Sequence, residues 1–402
     1  MRLINTTTGE FREFYDEQVP RYAILSHRWS TDPNDEVTFK DYSKGRGKDK
    51  PGQDKIIRFC SVAAQDGLEW AWVDTCCIDK RSSAELTEAI NSMFKWYRNA
   101  RYCYVYLNDC VDASAWRKSA WWTRGWTLQE LIAPSRLAFY DREWRVSGDR
   151  ADMAVEIEQL VGIPKDVLVG ARLTSYRDYS VAQKMSWAAR RCTSRVEDRA
   201  YSLLGLFDVN MPLLYGEGTK AFERLQLEIL QKHADESLFA WRPDPAMAGR
   251  AQFLLAQSPS SFADCGDMAP LHHGRRDNLL SASFFRLKHP LRRTAWGIEC
   301  EAEVRDLQPS AKGVRQLDGS KLAFTLRTIW EKGMRWLPCT IVLERSRYQL
   351  SCYKRLECHH MPLDACLDML RQRFIVGKGK IVTIFLQYDA EDDDYHLRVP
   401  PR

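Results

Sequence analysis

The sequence predicts an α/β fold. A parallel sheet with helices on both faces is expected over residues 1–150, a helical region packed on it over 151–245, and a β-rich C-terminal domain over 246–402. Three observations carry this. Short apolar runs bounded by turn formers, at 21–29, 70–79, 101–107 and 136–140, alternate with helix-patterned segments, as in strands covered on both faces. Between 151 and 240 the apolar spacing is helical. Beyond about residue 250 the period shifts toward two, the mark of antiparallel strands.

The first run, Arg21-Tyr-Ala-Ile-Leu-Ser26-His27-Arg28-Trp29, reads as a buried strand entering a polar loop. Residues 40–55 are basic, contain glycine and lack periodicity, so a solvated mobile loop is expected; their Gly-Arg-Gly does not make a phosphate-binding loop. Ile56, Phe59, Cys60 and Ala63 suggest a helix ending at Gly67. Trp70-Ala-Trp-Val-Asp74-Thr-Cys-Cys-Ile-Asp79 is a second buried strand with acids at its carboxyl end. Ser82 with Glu85 three positions on makes a capping box for a helix carrying Leu86, Ile90, Met93, Phe94 and Tyr97. The run 101–107 is the third strand and 136–140 the fourth.

Later helices are expected around 155–163, 181–192, 197–208 and 219–232, the last strongly amphipathic through Phe222, Leu225, Ile229 and Leu230. Strands follow at 322–330, 337–343, 350–353 and 381–388.

The segment 121–134 needs the most explanation. It reads as one helix capped by Thr123 and stopped by Pro134, with Trp122, Trp126 and Glu130 four apart on one stripe. Burying an ionised Glu costs several kcal/mol unless it is paired, or else its pKa rises. In parallel sheets ligands bind outside the carboxyl ends of the strands. Ser26, His27, Trp29, Asp74 and Asp79 fall at that edge, and the Glu130 helix can reach it. The bland reading of Glu130 is a carboxylate pairing with Arg28, Arg124 or Arg142, and residue chemistry alone leaves both open.

Other clusters carry less. Cys352, Cys358, His359, His360 and Cys366 lie close together, but their spacing fits no common zinc pattern. A Cys77–His27 nucleophile pair is conceivable at the strand ends, although a thiol inside an apolar run is more often inert. Glu197 and Asp198 beside Arg195 and Arg199 read as an ion-pair network. Twelve cysteines without CxxC or framework spacing suggest reduced thiols and a cytoplasmic protein. A net charge of +5, dispersed along 402 residues, argues against nucleic acid as a partner. No apolar run approaches the roughly 20 residues needed to span a bilayer.

Three ordered blocks resemble the signature of the fungal heterokaryon incompatibility (HET) domain: Tyr22-Ala-Ile-Leu-Ser-His-Arg-Trp29, Trp72-Val-Asp-Thr-Cys-Cys-Ile-Asp79 and Arg124-Gly-Trp-Thr-Leu-Gln-Glu-Leu131. The stretch from Met185 to Gly218 resembles the segment that commonly follows it. This resemblance implies a role in recognising non-self after cell fusion and in triggering programmed death. Expected partners are further copies of the chain and an upstream sensor protein. The chain lacks the nucleotide-binding module and repeats of many members.

A more distant likeness is to Toll/interleukin-1 receptor (TIR) domains, implying a TIR/flavodoxin-like sheet. It rests on Ser26-His27, Asp74 and Trp126-x-x-x-Glu130. Some TIR domains cleave NAD with the glutamate of that motif, which makes Glu130 the catalytic candidate and a small nucleotide, NAD, the candidate substrate rather than a cofactor. Ser26, His27, Arg28, Trp29, Asp74, Asp79 and Trp126 are then the substrate-binding candidates. The competing function is a non-enzymatic signalling scaffold acting through self-association.

Overall fold

The computed structural model describes residues 1–112, 114–169, 175–233, 235–242 and 254–270, with the backbone of strand segments between 292 and 386. The chain divides into two compact units. The first comprises 1–178 and 191–216, the second 179–190 and 217–402.

The first unit is built on a seven-stranded sheet. Its strands are β1 (Arg2–Asn5), β2 (Phe11–Glu13), β3 (Tyr22–His27), β4 (Trp70–Trp72), β5 (Tyr102–Tyr106), β6 (Leu137–Tyr140) and β7 (Val146–Asp149), in the spatial order β2-β1-β4-β3-β5-β6-β7. The four strands expected from the sequence form its parallel centre, β4-β3-β5-β6. The sheet as a whole is mixed, because β1, β2 and β7 pair antiparallel at its two sides. Short links make two of these pairings, β1–β2 and β6–β7: β1 turns into β2 across Thr6–Glu10, where Asn5 Oδ1 accepts the N–H groups of Thr7 and Thr8 at 3.0 and 2.9 Å. Antiparallel strands tolerate such links, whereas parallel neighbours need a long crossover.

The crossovers are α1 (Phe39–Ser43) and α2 (Pro51–Gln65) after β3, α3 (Ser83–Asn99) after β4, and α4 (Thr127–Ile132) after β5. The segment expected as a loop at 40–55 therefore contains α1 and the first turn of α2, whose Pro51 fits the first helical position. Ser82 caps α3 by accepting from Glu85 N–H at 3.3 Å, but only half the capping box forms. The Glu85 carboxylate instead takes the Asp79 N–H at 2.8 Å and Arg2 Nη1 at 2.9 Å.

Helices cover both faces of the parallel centre. Phe59 of α2 meets Tyr104 edge-on, and Tyr104 is level with Leu25. On the opposite face Tyr97 of α3 packs against Trp72, which is level with Ile24. Phe59, Trp72, Tyr97, Tyr104 and Phe139 are almost fully buried, and each such side chain stabilises by about 2 kcal/mol. The chain leaves β3 first to β4 on one side and then to β5 on the other. That reversal creates a crevice at the carboxyl ends of the strands.

The helix expected over 121–134 is two pieces. A 3₁₀ turn spans Ala120–Thr123, Arg124 is extended, and α4 begins at Thr127. Gly125 causes the break. Its N–H donates to Cys192 O at 2.8 Å, and a Cβ there would lie 2.4 Å from Thr193 Cγ2. Trp122 thus leaves the Glu130 stripe and packs on Trp116, Trp121 and Phe139.

Beyond the sheet, the first unit holds α5 (Ala154–Val161) and α6 (Lys165–Val169). The helix expected at 197–208 is likewise split in two (Asp198–Tyr201 and Leu204–Phe207). Gly205 there lies so close to Phe94 that a Cβ would meet it at 2.0 Å.

Among its described residues the second unit contains helices Val181–Ala188 and Lys220–Lys232 and seven strands, of which Lys321–Lys332 and Arg335–Arg345 cover expected runs, while Cys352–His360 and Phe374–Leu386 overlap theirs only in part. The strand Gly297–Pro309 was not foreseen. It pairs with both Lys321–Lys332 and Phe374–Leu386, so the sheet closes on itself. Of the zinc candidates, Cys352, Cys358, His359 and His360 fall on one strand, while Cys366 lies outside the described residues.

Candidate functional site

At the carboxyl edge of the parallel centre lies a cavity of about 340 Å³, formed entirely by the first unit. His27 and Trp29 reach it from the end of β3, Asp74, Ile78 and Lys80 from the loop after β4, and Tyr97 from α3. Trp126, Thr127 and Glu130 come from the start of α4, and Ser194, Arg195, Asp198 and Tyr215 from the returning segment.

Glu130 is buried and held from behind. Ser26 Oγ donates to its Oε2 at 2.5 Å, and Trp121 Nε1 donates to Ser26 Oγ at 2.9 Å. Indole N–H is a donor only, so Ser26 Oγ accepts from Trp121 and has its own proton to give to the carboxyl. It also explains a hydroxyl inside a strand with no exposure, since Ser26 is bonded on both sides. Burial pushes the Glu130 carboxyl up to about 8; the Ser26 hydrogen bond opposes this, Asp74 adds to it, and Arg124 and Arg191 pull it down. Glu130 therefore holds its proton at neutral pH until something positive enters.

The side facing the cavity is organised by Asp74. Trp29 Nε1 donates to its Oδ2 at 2.9 Å, and Lys80 Nζ stands 3.7 Å from the same oxygen and 3.6 Å from the Trp29 ring centroid. His27 Nε2 is 3.9 Å from Asp74 Oδ1, yet neither ring nitrogen has a hydrogen-bond partner. Burial, reinforced by Lys55, Lys80 and Arg124, holds His27 well below its ordinary range, so it is a neutral imidazole. The thiol of Cys77 accepts from Val73 N–H at 3.4 Å and is not bonded to His27.

Asp198, with the Arg195 charge acting on it, also has aromatic partners. It accepts from the Tyr215 hydroxyl at 2.9 Å and from Trp126, and burial raises its pKa. The Arg195 guanidinium lies 4.4 Å from the Tyr215 ring centroid. Arg191 Nη1 donates to Arg124 O at 3.0 Å and Thr127 Oγ1 at 2.8 Å, which ties the returning segment to the start of α4. Burial lowers Arg191 to about 10, so it remains a cation at neutral pH.

Of the sequence candidates, His27, Trp29, Asp74, Trp126 and Glu130 line the cavity and Ser26 supports it. Arg28 and Asp79 do not line it. Arg28 is half-buried outside, and Asp79 faces a neighbouring cavity of about 360 Å³, where its carboxylate chelates Arg81. Sequence reasoning missed Lys80, Arg124, Arg191, Arg195, Asp198 and Tyr215 as parts of the site. The last four belong to the stretch from Met185 to Gly218, and the family resemblance of that stretch was the one available signal.

Residues 22–114 match the family described as Heterokaryon incompatibility protein (HET). Residues 220–315 match a domain of unknown function, DUF8212. The chain is 49% identical over 246 residues to Vegetative incompatibility protein HET-E-1 of Podospora anserina, an alignment covering 57% of this chain and 18% of that protein. The chain thus spans under a fifth of that relative's length. No solved structure matches it. The HET match contains β3, β4 and β5 with Ser26, His27, Trp29 and Asp74, while Glu130 lies beyond it. Among the described residues no helix is long and apolar enough to cross a membrane.

Proposed function

We propose that the chain is a heterokaryon incompatibility effector, acting in non-self recognition and programmed cell death in fungi, and that its Glu130 cavity cleaves the nicotinamide–ribose bond of NAD. The HET match and the kinship with a vegetative incompatibility protein support the biological role. The observation that carries the chemistry is a buried carboxyl with a raised pKa, supported by Ser26 and opening into a tryptophan-lined cavity. The likeness to TIR domains rests on Ser26-His27, Asp74 and the Trp126–Glu130 motif, and the comparisons with known proteins add no support to it.

The chemistry is self-consistent. Breaking the C–N bond sends its electron pair into the pyridinium ring, so nicotinamide leaves neutral and needs no acid. The ribose is left as an oxocarbenium-like cation, water adds to it, and the products are ADP-ribose, nicotinamide and one proton. Glu130 as carboxylate stabilises that cation, and the positive nicotinamide ring favours the ionised form on entry. Trp29 or Trp126 offers a ring for stacking, and Lys80, Arg124 and Arg195 offer cations for a diphosphate. No further cofactor is required.

Incubating concentrated protein with NAD and following nicotinamide release tests this. Release by the native chain and none by Glu130→Gln is expected; equal release by both sinks the catalytic assignment.

The second reading, a scaffold working by self-association with an upstream sensor, is favoured by Trp29, which is 39% exposed at the cavity mouth. On that reading cell killing survives Glu130→Gln but is lost with Trp29→Ala. The opposite pattern would exclude it.

A further inference from the structure

The opposite end of the same sheet carries a second concave site. Arg21, Arg101 and Arg136 each immediately precede the first residue of a parallel strand, β3, β5 and β6 respectively. These strands are neighbours. The fold therefore sets three arginines side by side, with the outer two about 10 Å apart at the backbone, twice the inter-strand spacing. Backbone bonds hold them there: Arg101 N–H donates to Tyr22 O at 2.9 Å, and Cys103 N–H to Arg136 O at 3.0 Å.

All three line a polar cleft of about 750 Å³ together with Tyr102, Tyr104 and Tyr140. All three are exposed, and none has a side-chain hydrogen bond or ion pair among the described residues. Two carboxylates share the cleft, Asp66 and Glu69. Each is directed to a neighbour: Asp66 Oδ2 accepts from the Tyr104 hydroxyl at 2.5 Å, and Glu69 Oε1 accepts from Asn5 Nδ2 at 3.2 Å. Glu69 precedes β4, at the far side of the strand order from Arg101 and Arg136. Asp66 lies against Tyr104 of β5 and Glu69 stands at the β4 side, so the cleft lining carries three guanidiniums against two carboxylates.

Three guanidiniums held in a row without carboxylate partners repel one another until an anion bridges them. A guanidinium presents a planar fork of donors that matches phosphate oxygens two at a time. A row of such forks matches phosphates spaced along a chain better than a single anion. Burial holds the Tyr102, Tyr104 and Tyr140 phenols above their ordinary range, so these rings add neutral surface and no negative charge.

We propose that this amino-edge cleft binds a polyphosphate-bearing small anion across Arg21, Arg101 and Arg136, at a site separate from the Glu130 cavity. The shared chemistry is the phosphate chain, whether inorganic or carried by a nucleoside.

Titration calorimetry of the full chain with inorganic tripolyphosphate and, separately, with ATP tests it. Binding of both with similar affinity assigns recognition to the phosphate chain, and tighter ATP binding adds a base contact on the tyrosines. The triple variant Arg21→Gln, Arg101→Gln, Arg136→Gln is expected to weaken binding at least tenfold, and raised salt to weaken it in the native chain. The double variant Lys80→Gln, Arg195→Gln, which strips cations from the Glu130 cavity, is expected to bind tripolyphosphate as the native chain does, and a loss of binding there would move the site to that cavity. Absence of millimolar binding, unchanged affinity in the triple variant, or equal binding of a poly-glutamate peptide would each overturn the proposal.

Discussion

Glu130→Gln keeps the shape of the side chain and removes its charge, and its effect on stability follows from the structure. The unfolded carboxyl titrates near 4.5 and the folded one near 8. The folded state therefore binds the proton more tightly, and the associated stability is present below pH 4.5 and lost as pH rises through 8. At about 1.4 kcal/mol per unit, the loss reaches about 3 kcal/mol at pH 7 and about 5 kcal/mol above pH 8. Glutamine avoids this loss and can still accept from Ser26 Oγ through its amide oxygen. The variant should match the native chain within about 1 kcal/mol at pH 5 and exceed it by about 3 kcal/mol at pH 7. Because the chain has two compact units, the measurement should isolate the first one. Urea-dependent amide exchange of β3 and β5, at pH 5 and pH 7, does so. A stability difference that does not grow with pH would refute the assignment of a buried, proton-holding Glu130.

Three further outcomes follow from the same geometry. Ser26→Ala strips the Trp121 indole N–H of its acceptor and Glu130 of its donor, so thermal melts should show a loss of about 1–3 kcal/mol. Asp74→Asn removes a negative neighbour that raises Glu130, so the pH midpoint of NAD cleavage, which rises with pH as the carboxylate forms, should move to lower pH; an unmoved midpoint would detach Asp74 from the site. Gly205→Ala drives a Cβ to 2.0 Å from Phe94 and should cost about 1–3 kcal/mol by denaturation, whereas alanine at Gly67, open on all sides but with φ of +76°, should cost less.

The parallel centre was legible because each strand is a short apolar run next to an amphipathic helix, as with 21–27 before the Phe59 face of α2. The antiparallel additions were not. Phe11-Arg-Glu13 has no apolar run, and only its pairing with β1 makes it a strand. The 121–134 segment shows the limit of spacing arguments. Trp122, Trp126 and Glu130 fit one stripe perfectly on paper, but a tertiary contact at Gly125 rotates the first of them away. Placement of Ser26, His27, Trp29 and Asp74 at one edge was readable from strand polarity. What lay hidden was the contribution of residues sixty or more positions later, because no local pattern announces that Arg191, Arg195 and Asp198 return to a helix begun at Thr127.

That return has a practical corollary. The path from α6 to the cavity wall runs out through 179–190, which belong to the other unit, and comes back at Arg191. A shortened protein ending near residue 150 would keep Glu130 and lose Ser194, Arg195, Asp198 and Tyr215, leaving one wall of its cavity to solvent. The glutamate would then be hydrated, its proton affinity would fall toward that of an ordinary carboxyl, and silence in a cleavage assay would report missing masonry rather than missing chemistry. A piece fit for judging Glu130 has to include Tyr215, together with whatever 179–190 need from the other unit.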